Sequence, residues 1–369
     1  LERLFNILWS CSGNKVIPFF YVMQERQITL ASFAKDFFAT FVSHYLSFLT
    51  RNKDWVLSPL NYMEMKKYIT QYPDLYKKSI SIDEFEKTGN WDLMWSVARR
   101  TPFDIAVSTG VKVVQIIDEF QNINAYIVNE RGKTIDSMSG AYRDLAERKE
   151  APLIVSGSEV HRLLEILCRL TAGFAENVLE NLPEEEAKEA VWKYAQATDT
   201  RIDEHAVEKI WNLTQGDPLY LKALFLTRYN DTQDYTNEDN IVATYTQEIT
   251  RGEIYGIWGE YIAAFFLEAN ERDAKRIMLY LFQAGEERTR AQIIKDLKLD
   301  MTDDELETKL QKLIKADLIS QGETNFDYKI EKDKTYELVF RRLFQEEIDN
   351  CIPDIRKELR QEMDGNAKL

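Results

Sequence analysis

The sequence predicts an α/β fold, a parallel sheet with crossover helices, followed by an all-α lid and a winged helix. Three observations carry this. Short apolar runs of strand length alternate with helical patterns over the first half of the chain. The alternation stops at Pro183, where helices joined by short turns take over. From about residue 270, three more amphipathic helices precede two strand-like segments. The expected division is 1–182 for the sheet core, 183–267 for the lid, 268–345 for the winged helix and 346–369 for a C-terminal helix and charged tail that frays.

In chain order, LERLFNILW places Leu1, Leu4, Phe5 and Leu8 on one helical face. A helix that starts without a cap points to residues upstream of Leu1. After Gly13-Asn14 a strand runs from Lys15 to Met23. A long helix follows, Leu30 to Leu49, with Phe33, Phe37, Phe38, Phe41 and Tyr45 as its apolar stripe. Residues 52–90 are polar, rich in Tyr and Lys, and carry no clear pattern. NWDLMWSVARR (90–100) reads as a helix and VVQII (113–117) as a buried strand; a loop and helix then run to about Arg148. PLIVSGS (152–158) is the next strand, Glu159 to Leu170 a helix, and Ala175 to Leu179 a short last strand.

In the lid, PEEEAKEAVWKYAQ, DEHAVEKIWNLTQ and PLYLKALFLTRY are helices, two of them opened by Pro, a favoured first helical residue. The section 240–267 is helical and aromatic. DAKRIMLYLFQ, RAQIIKDLK and TDDELETKLQKLIKADL are the winged-helix helices, the third opened by a capping box of Thr302 and Glu305. LISQGE and YKIEKDKTYELVF read as its two strands. No internal repeat is visible.

Charge and cysteine usage narrow the function classes. A net charge of −15 disfavours a surface built throughout to attract nucleic acid, although a local basic patch stays open. The three cysteines, Cys11, Cys168 and Cys351, form neither a disulfide framework nor a metal-ligand spacing, which fits a reducing, cytoplasmic setting. No apolar run approaches the roughly 20 residues that span a bilayer, and no signal peptide is visible. His44, His161 and His205 are scattered through helical patterns and suggest no catalytic arrangement.

The chemistry gathers at VVQIIDEFQN (113–122). An acid at a strand end can hold magnesium, usually with waters between. A second acid can orient or deprotonate an attacking water. Asp118 and Glu119 can divide these tasks only where the strand opens, because neighbours on a strand point to opposite sides. Read alone, the same residues also describe a buried strand followed by a solvated acidic turn. Ser156 and Ser158 end the next strand and could sense a phosphate from there, or simply form a turn. In TQGDPLYL (214–221), Gly216 can close one helix and Pro218 open the next; a plain helix corner explains both. NERGKT (129–134) contains the tail of a phosphate loop, but the required earlier glycine is Ile127, so the segment reads as an ordinary loop.

The order of these pieces is more telling than any one of them. Helix, strand, VVQIIDEFQN, PLIVSGS, a helical lid with Gly-x-Pro and a winged helix together resemble the AAA+ superfamily of P-loop NTPases. The closest resemblance is to the STAND branch and the archaeal-type ATPases, in which Phe-Gln follows the Asp-Glu pair. It extends over nearly the whole chain. It implies that Asp118 is the Walker B magnesium ligand, Glu119 the catalytic base and Ser156 or Ser158 the sensor 1 residue. It implies further that Gly216 and Pro218 form the corner near the adenine of ATP. The strand and Gly-x-x-x-x-Gly-Lys-Ser/Thr loop of the pattern are missing here and are expected upstream of Leu1, so the site in this chain is expected to be empty. TAGFAEN (171–177) lacks the arginine of relatives; Arg162 or Arg169 could serve in its place.

The resemblance implies an ATP- and Mg2+-dependent molecular switch with a winged-helix output, slow in hydrolysis. DNA binding through the winged helix is the alternative. Its third helix carries Asp303, Asp304, Glu305, Glu307 and Asp317 against Lys309, Lys312 and Lys315, a poor match for phosphates, so a protein partner is favoured. The expected hairpin is more basic, with Lys329, Lys332, Lys334, Arg341 and Arg342. A catalytically inactive scaffold and a homo-oligomer stay open.

Overall fold

A strand paired on both edges and covered on both faces has to be apolar almost throughout. Val113, Ile116 and Ile117 meet that demand: all three are fully buried in the strand Lys112–Asp118. The computed structural model describes residues 1–11, 13, 15–170, 174–227, 234–267, 272–324, 326–330 and 333–364. They fall into two units, Leu1–Glu176 and Asn177–Leu369.

The first unit runs α1 (Glu2–Cys11), β1 (Val16–Val22), β2 (Ile28–Thr29), α2 (Leu30–Thr50), α3 (Asp54–Leu57), α4 (Tyr62–Tyr68), α5 (Pro73–Thr88), α6 (Trp91–Thr109), β3 (Lys112–Asp118), β4 (Ile127–Val128), β5 (Leu153–Val155) and α7 (Val160–Leu170). The main sheet has the order β1-β3-β5, all parallel. Its register sets Val22 beside Asp118 and Ile117 beside Val155, so all three strands end at the same level. Gln115, the one polar side chain inside β3, is fully buried and donates from Nε2 to the Ala151 carbonyl at 3.1 Å.

The aromatic stripe of α2 is the core of this unit. Phe33, Phe37, Phe38 and Phe41 are buried. Phe19 of β1 meets Phe37 edge-on at 5.0 Å and Phe41 at 5.3 Å. Such pairs add about 0.5–1.5 kcal/mol each beyond the area they bury.

Three stretches depart from expectation. Residues 52–90 hold the helices α3, α4 and α5, whose Met65, Leu75 and Ile82 are buried. Between β3 and Arg148 there is no α-helix, only β4 and the 3-10 turns Phe120–Asn124 and Met138–Tyr142. Residues 175–179 form no strand, and Val178 and Leu179 are 70% and 96% exposed. A strand exists through its ladder, and none among the described residues pairs there.

The second unit contains α8 (Glu184–Thr198), α9 (Glu204–Thr214), α10 (Pro218–Leu226), α11 (Glu238–Arg251), α12 (Glu253–Leu267), α13 (Arg272–Ala284), β6 (Arg288–Thr289), α14 (Arg290–Leu297), α15 (Asp303–Lys315), β7 (Ser320–Gln321), β8 (Asp327–Lys329), α16 (Lys334–Asp349) and α17 (Ile355–Met363). Its short strands form an antiparallel sheet in the order β6-β8-β7. The capping box at Thr302 and Glu305 is present and opens α15.

Two expectations fail here for a local reason. The segment from Lys334 is helix, not the second arm of a hairpin. The Asp333 side chain accepts from Tyr336 N at 3.0 Å and caps α16, and Tyr336, Val339 and Phe340 fall on one buried face. Lys334, Arg341 and Arg342 therefore lie on a helix, and Lys332 lies outside the described residues. The C-terminal segment does not fray before Asp364: Ile355, Leu359 and Met363, four apart, are buried along one side of α17.

Candidate functional site

The level ending of the three strands brings together what the sequence separates. Asp118 is the last residue of β3. Its carbonyl accepts from Met23 N at 2.9 Å, which ties the β1 and β3 ends together. Ser156 N donates to the Ile117 carbonyl at 3.1 Å, and Phe120 N donates to the Ser156 carbonyl at 2.9 Å, which ties β3 to β5.

Glu119 is the hinge of this corner. Its φ of +52° is left-handed, a conformation that costs a non-glycine residue on the order of 1 kcal/mol. The turn stops strand alternation at Asp118 and lets both acids face the β5 end. Phe120 then drops into the core, fully buried and edge-on to Tyr142 at 5.4 Å. It anchors a 3-10 turn, Phe120–Asn124, in which Asn122 donates from Nδ2 to the Met23 carbonyl at 3.1 Å.

The side chains interlock. Ser156 Oγ donates to Asp118 Oδ1, which also accepts from Glu119 N at 3.1 Å. Ser158 donates to Glu119 Oε2 from Oγ at 2.9 Å and from its amide at 3.4 Å. Gln121 Nε2 donates to the same Oε2. Asp118 Oδ2 and Glu119 Oε1 are left without a hydrogen-bond partner among the described residues. Of the expected site residues, Asp118, Glu119, Ser156 and Ser158 thus form one constellation. Gln121 and Gly157 belong to it too. The sequence marked Gln121 only through the Phe-Gln that follows the acid pair, with no role attached, and Gly157 only as a Gly between two Ser at a strand end.

No group of three or more His, Cys, Asp or Glu side chains is placed to hold a metal among the described residues. That set suits magnesium nonetheless. The ion keeps several waters and takes one or two carboxylates along with substrate phosphates. Asp118 offers one free oxygen, steadied by a hydroxyl on the other.

Gly216 and Pro218 lie in the second unit. Gln215 (φ +48°) ends α9, and Gly216 follows with φ +76°. A Cβ on Gly216 would lie 2.3 Å from the Leu182 carbonyl oxygen and 2.8 Å from the Trp211 ring, so only glycine fits. Asp217 caps α10, accepting from Leu219 N at 2.7 Å and Tyr220 N at 3.1 Å, and Pro218 is its first residue. Helix-corner chemistry accounts for each of these residues.

Beside the corner, within the second unit, lies a cavity of about 750 Å³ lined by Asn212, Asp217, Tyr220, Phe282, Asp333 and Glu337 among others. Burial raises the pKa of Asp217, and burial together with the Asp217 charge raises that of Asp333. Tyr220 donates its hydroxyl proton to Asp333 Oδ2 at 2.5 Å and accepts from Trp258 Nε1 at 2.9 Å.

The remaining sequence candidates lie elsewhere. In 129–134, Asn129 N donates to the Lys133 carbonyl at 2.8 Å, and Asn129 Oδ1 accepts from Arg131 N at 2.9 Å and Lys133 N at 3.1 Å. Amides committed to their own turn do not cradle a phosphate. Arg162 pairs with Glu159 at 2.7 Å, and Arg169 is exposed near the end of α7. Of TAGFAEN, residues 171–173 lie outside the described residues, and 174–177 carry no arginine. No helix among the described residues is long and apolar enough to cross a membrane.

No family model matches the sequence, and no curated protein does. Among solved structures, the Walker-type ATPase PABY2304 of Pyrococcus abyssi is similar, with a TM-score of 0.58 and 16% identity over 88% of this chain and 84% of that one. The Aeropyrum pernix ORC2 protein, in its ADPNP–ADP complexes, matches 98% of this chain and 82% of its own, at 12% identity and a TM-score of 0.45. The first likeness shows a shared fold: a parallel-sheet α/β core accompanied by many helices.

Proposed function

We propose that the chain is an ATP-dependent molecular switch of the AAA+ type, near the STAND and archaeal-type ATPases, and that the Asp118–Glu119 corner is the magnesium and water side of its nucleotide site. The observation that carries this is the Ser156–Asp118 hydrogen bond at the carboxyl ends of adjacent parallel strands, where open α/β sheets bind ligands. Asp118 would hold magnesium through Oδ2, and Ser156 keeps the carboxylate turned for it. Glu119 would orient the attacking water through Oε1. Bound MgATP would supply the phosphoryl group, with its charge partly neutralised by the ion.

A phosphate cradle would be the other half, and the sheet has an open edge for it. Beyond β3, the far edge of β5 has no ladder partner among the described residues. Leu153, Ile154 and Val155 are only partly buried, whereas Ile116 and Ile117 of β3 are fully so. A further parallel strand carrying a Gly-rich loop, laid on that edge, would cover β5 and deliver its loop beside Asp118 and Ser156.

The output element would be the α13–α16 region acting as a winged helix on a protein partner. Three of the cations expected on its hairpin are paired: Lys334 and Arg341 each bridge Glu337 and Glu358 at 2.7–3.0 Å, and Lys329 lies 3.6 Å from Glu287. Such pairing draws their charge away from phosphates. A salt-dependent mobility shift with duplex DNA would overturn the protein-partner reading.

The test of the nucleotide reading is MgATP titration of the polypeptide that carries a Gly-x-x-x-x-Gly-Lys-Ser/Thr strand. Binding is expected, and Asp118→Asn is expected to weaken it at least about tenfold. No binding with the loop present, or an unchanged affinity in Asp118→Asn, sinks the reading.

A further inference from the structure

Gln121 has no task in the nucleotide reading, yet its surroundings are built around it. Its side chain is fully buried, and Nε2 donates to Glu119 Oε2. Oε1 is buried as well and has no hydrogen-bond partner. A buried acceptor left unmet is costly, so the amide is held in place against a penalty. Turning it over would set Oε1 against the Glu119 carboxylate, acceptor against acceptor. Only the present orientation suits an ionised Glu119.

Gly157 is the opposing wall. A Cβ there would lie 2.0 Å from Gln121 Oε1 and 3.0 Å from Gln121 Cδ. Gly157 is not among the residues with positive φ, so its backbone conformation would tolerate a side chain. What forbids one is chiefly the Gln121 amide. With Ser158, Gln121 concentrates three donors on Glu119 Oε2 and leaves Oε1 open.

We propose that Gln121 is a positioning residue for Glu119: its amide, wedged against Gly157, fixes the carboxylate with Oε2 tied back and Oε1 presented to the reacting water. The consequence for turnover rests on the nucleotide reading; the clamp itself does not.

The clamp is tested in the chain as it stands by comparing the Gln121 side-chain NH2 resonances of the wild type, Glu119→Ala and Gly157→Ala at one pH. They are expected to shift, and their hydrogens to exchange faster with solvent, in both variants: the first removes the acceptor, and in the second the added methyl evicts the amide. The stability lost in Gly157→Ala is expected to disappear in a Gln121→Ala background. Resonances that ignore Glu119, or a Gly157→Ala loss that is the same in both backgrounds, overturn the clamp. The catalytic consequence is read in Gln121→Met, which fills the space but has no N–H. Its kcat for ATP is expected to fall about tenfold with KM unchanged, whereas full kcat overturns the positioning role. If the polypeptide that carries a Gly-x-x-x-x-Gly-Lys-Ser/Thr strand binds no ATP, the nucleotide reading fails, and the resonances still decide the clamp.

Discussion

Asp118 and Glu119 in the first unit and Asp217 and Asp333 in the second are all acids at the ends of elements, but their partners differ in kind. Asp217 and Asp333 accept from backbone N–H groups two or three residues ahead, on the helices they cap, and Asp333 accepts in addition from the Tyr220 hydroxyl. Asp118 and Glu119 are held by the side chains of Ser156 and Ser158, 38 and 39 residues away. The capping bonds themselves lie within one helix, whatever else the carboxylate touches. A constellation assembled by strand register is what a reaction needs, since several groups must converge on one point. The same residue type therefore serves stability in one unit and, in the nucleotide reading, chemistry in the other.

Breaking the second-unit corner should have the largest structural effect. Gly216→Ala sets a methyl group against the Leu182 carbonyl in a left-handed conformation. It should cost about 2–4 kcal/mol, read from the urea midpoint by circular dichroism.

Acid should separate the two units by sign. His44 of α2 is buried, and its Nδ1 accepts from Phe20 N at 3.3 Å. Burial pushes its pKa down from 6.5 to about 4. A lowered pKa means that the unfolded chain binds the proton first. The stability contributed by neutral His44 is complete above pH 6.5 and is lost as pH falls toward 4. The loss should be on the order of 2–3 kcal/mol, and His44→Asn, which accepts without titrating, should flatten the acid limb of a denaturation series.

Asp333 should behave in the opposite way and more weakly. Its raised pKa means that the folded state binds the proton first, so its contribution declines as pH rises from 3.8 through the folded value. Asp333→Asn keeps an acceptor for Tyr336 N and removes the buried charge. It should stabilise the protein by up to about 1 kcal/mol at neutral pH and by nothing in acid, as compared by denaturant titration at both pH values.

What was legible in the sequence follows the same local–distant line. β3, the acid pair, the Gly216–Pro218 corner and the Thr302–Glu305 box are short-range patterns, and each sits where its pattern predicted. The α16 helix was also written locally, in the cap Asp333 and the buried face of Tyr336, Val339 and Phe340; the alternating charges just before it masked the signal. The strand expected at 175–179 was not decidable locally, because a ladder partner makes a strand. Nor was the role of Gln121 legible: it depends on Gly157, and only the pairing of β3 with β5 brings the two together.

If the Asp118–Glu119 corner is the magnesium and water side of a nucleotide site, and more than an acidic turn, Glu119 governs turnover. ATP turnover and ATP affinity, measured together in Glu119→Gln of a polypeptide that carries a Gly-x-x-x-x-Gly-Lys-Ser/Thr strand, decide it. Turnover should fall at least about 100-fold while affinity changes by less than about threefold. Turnover that survives the substitution would contradict the account.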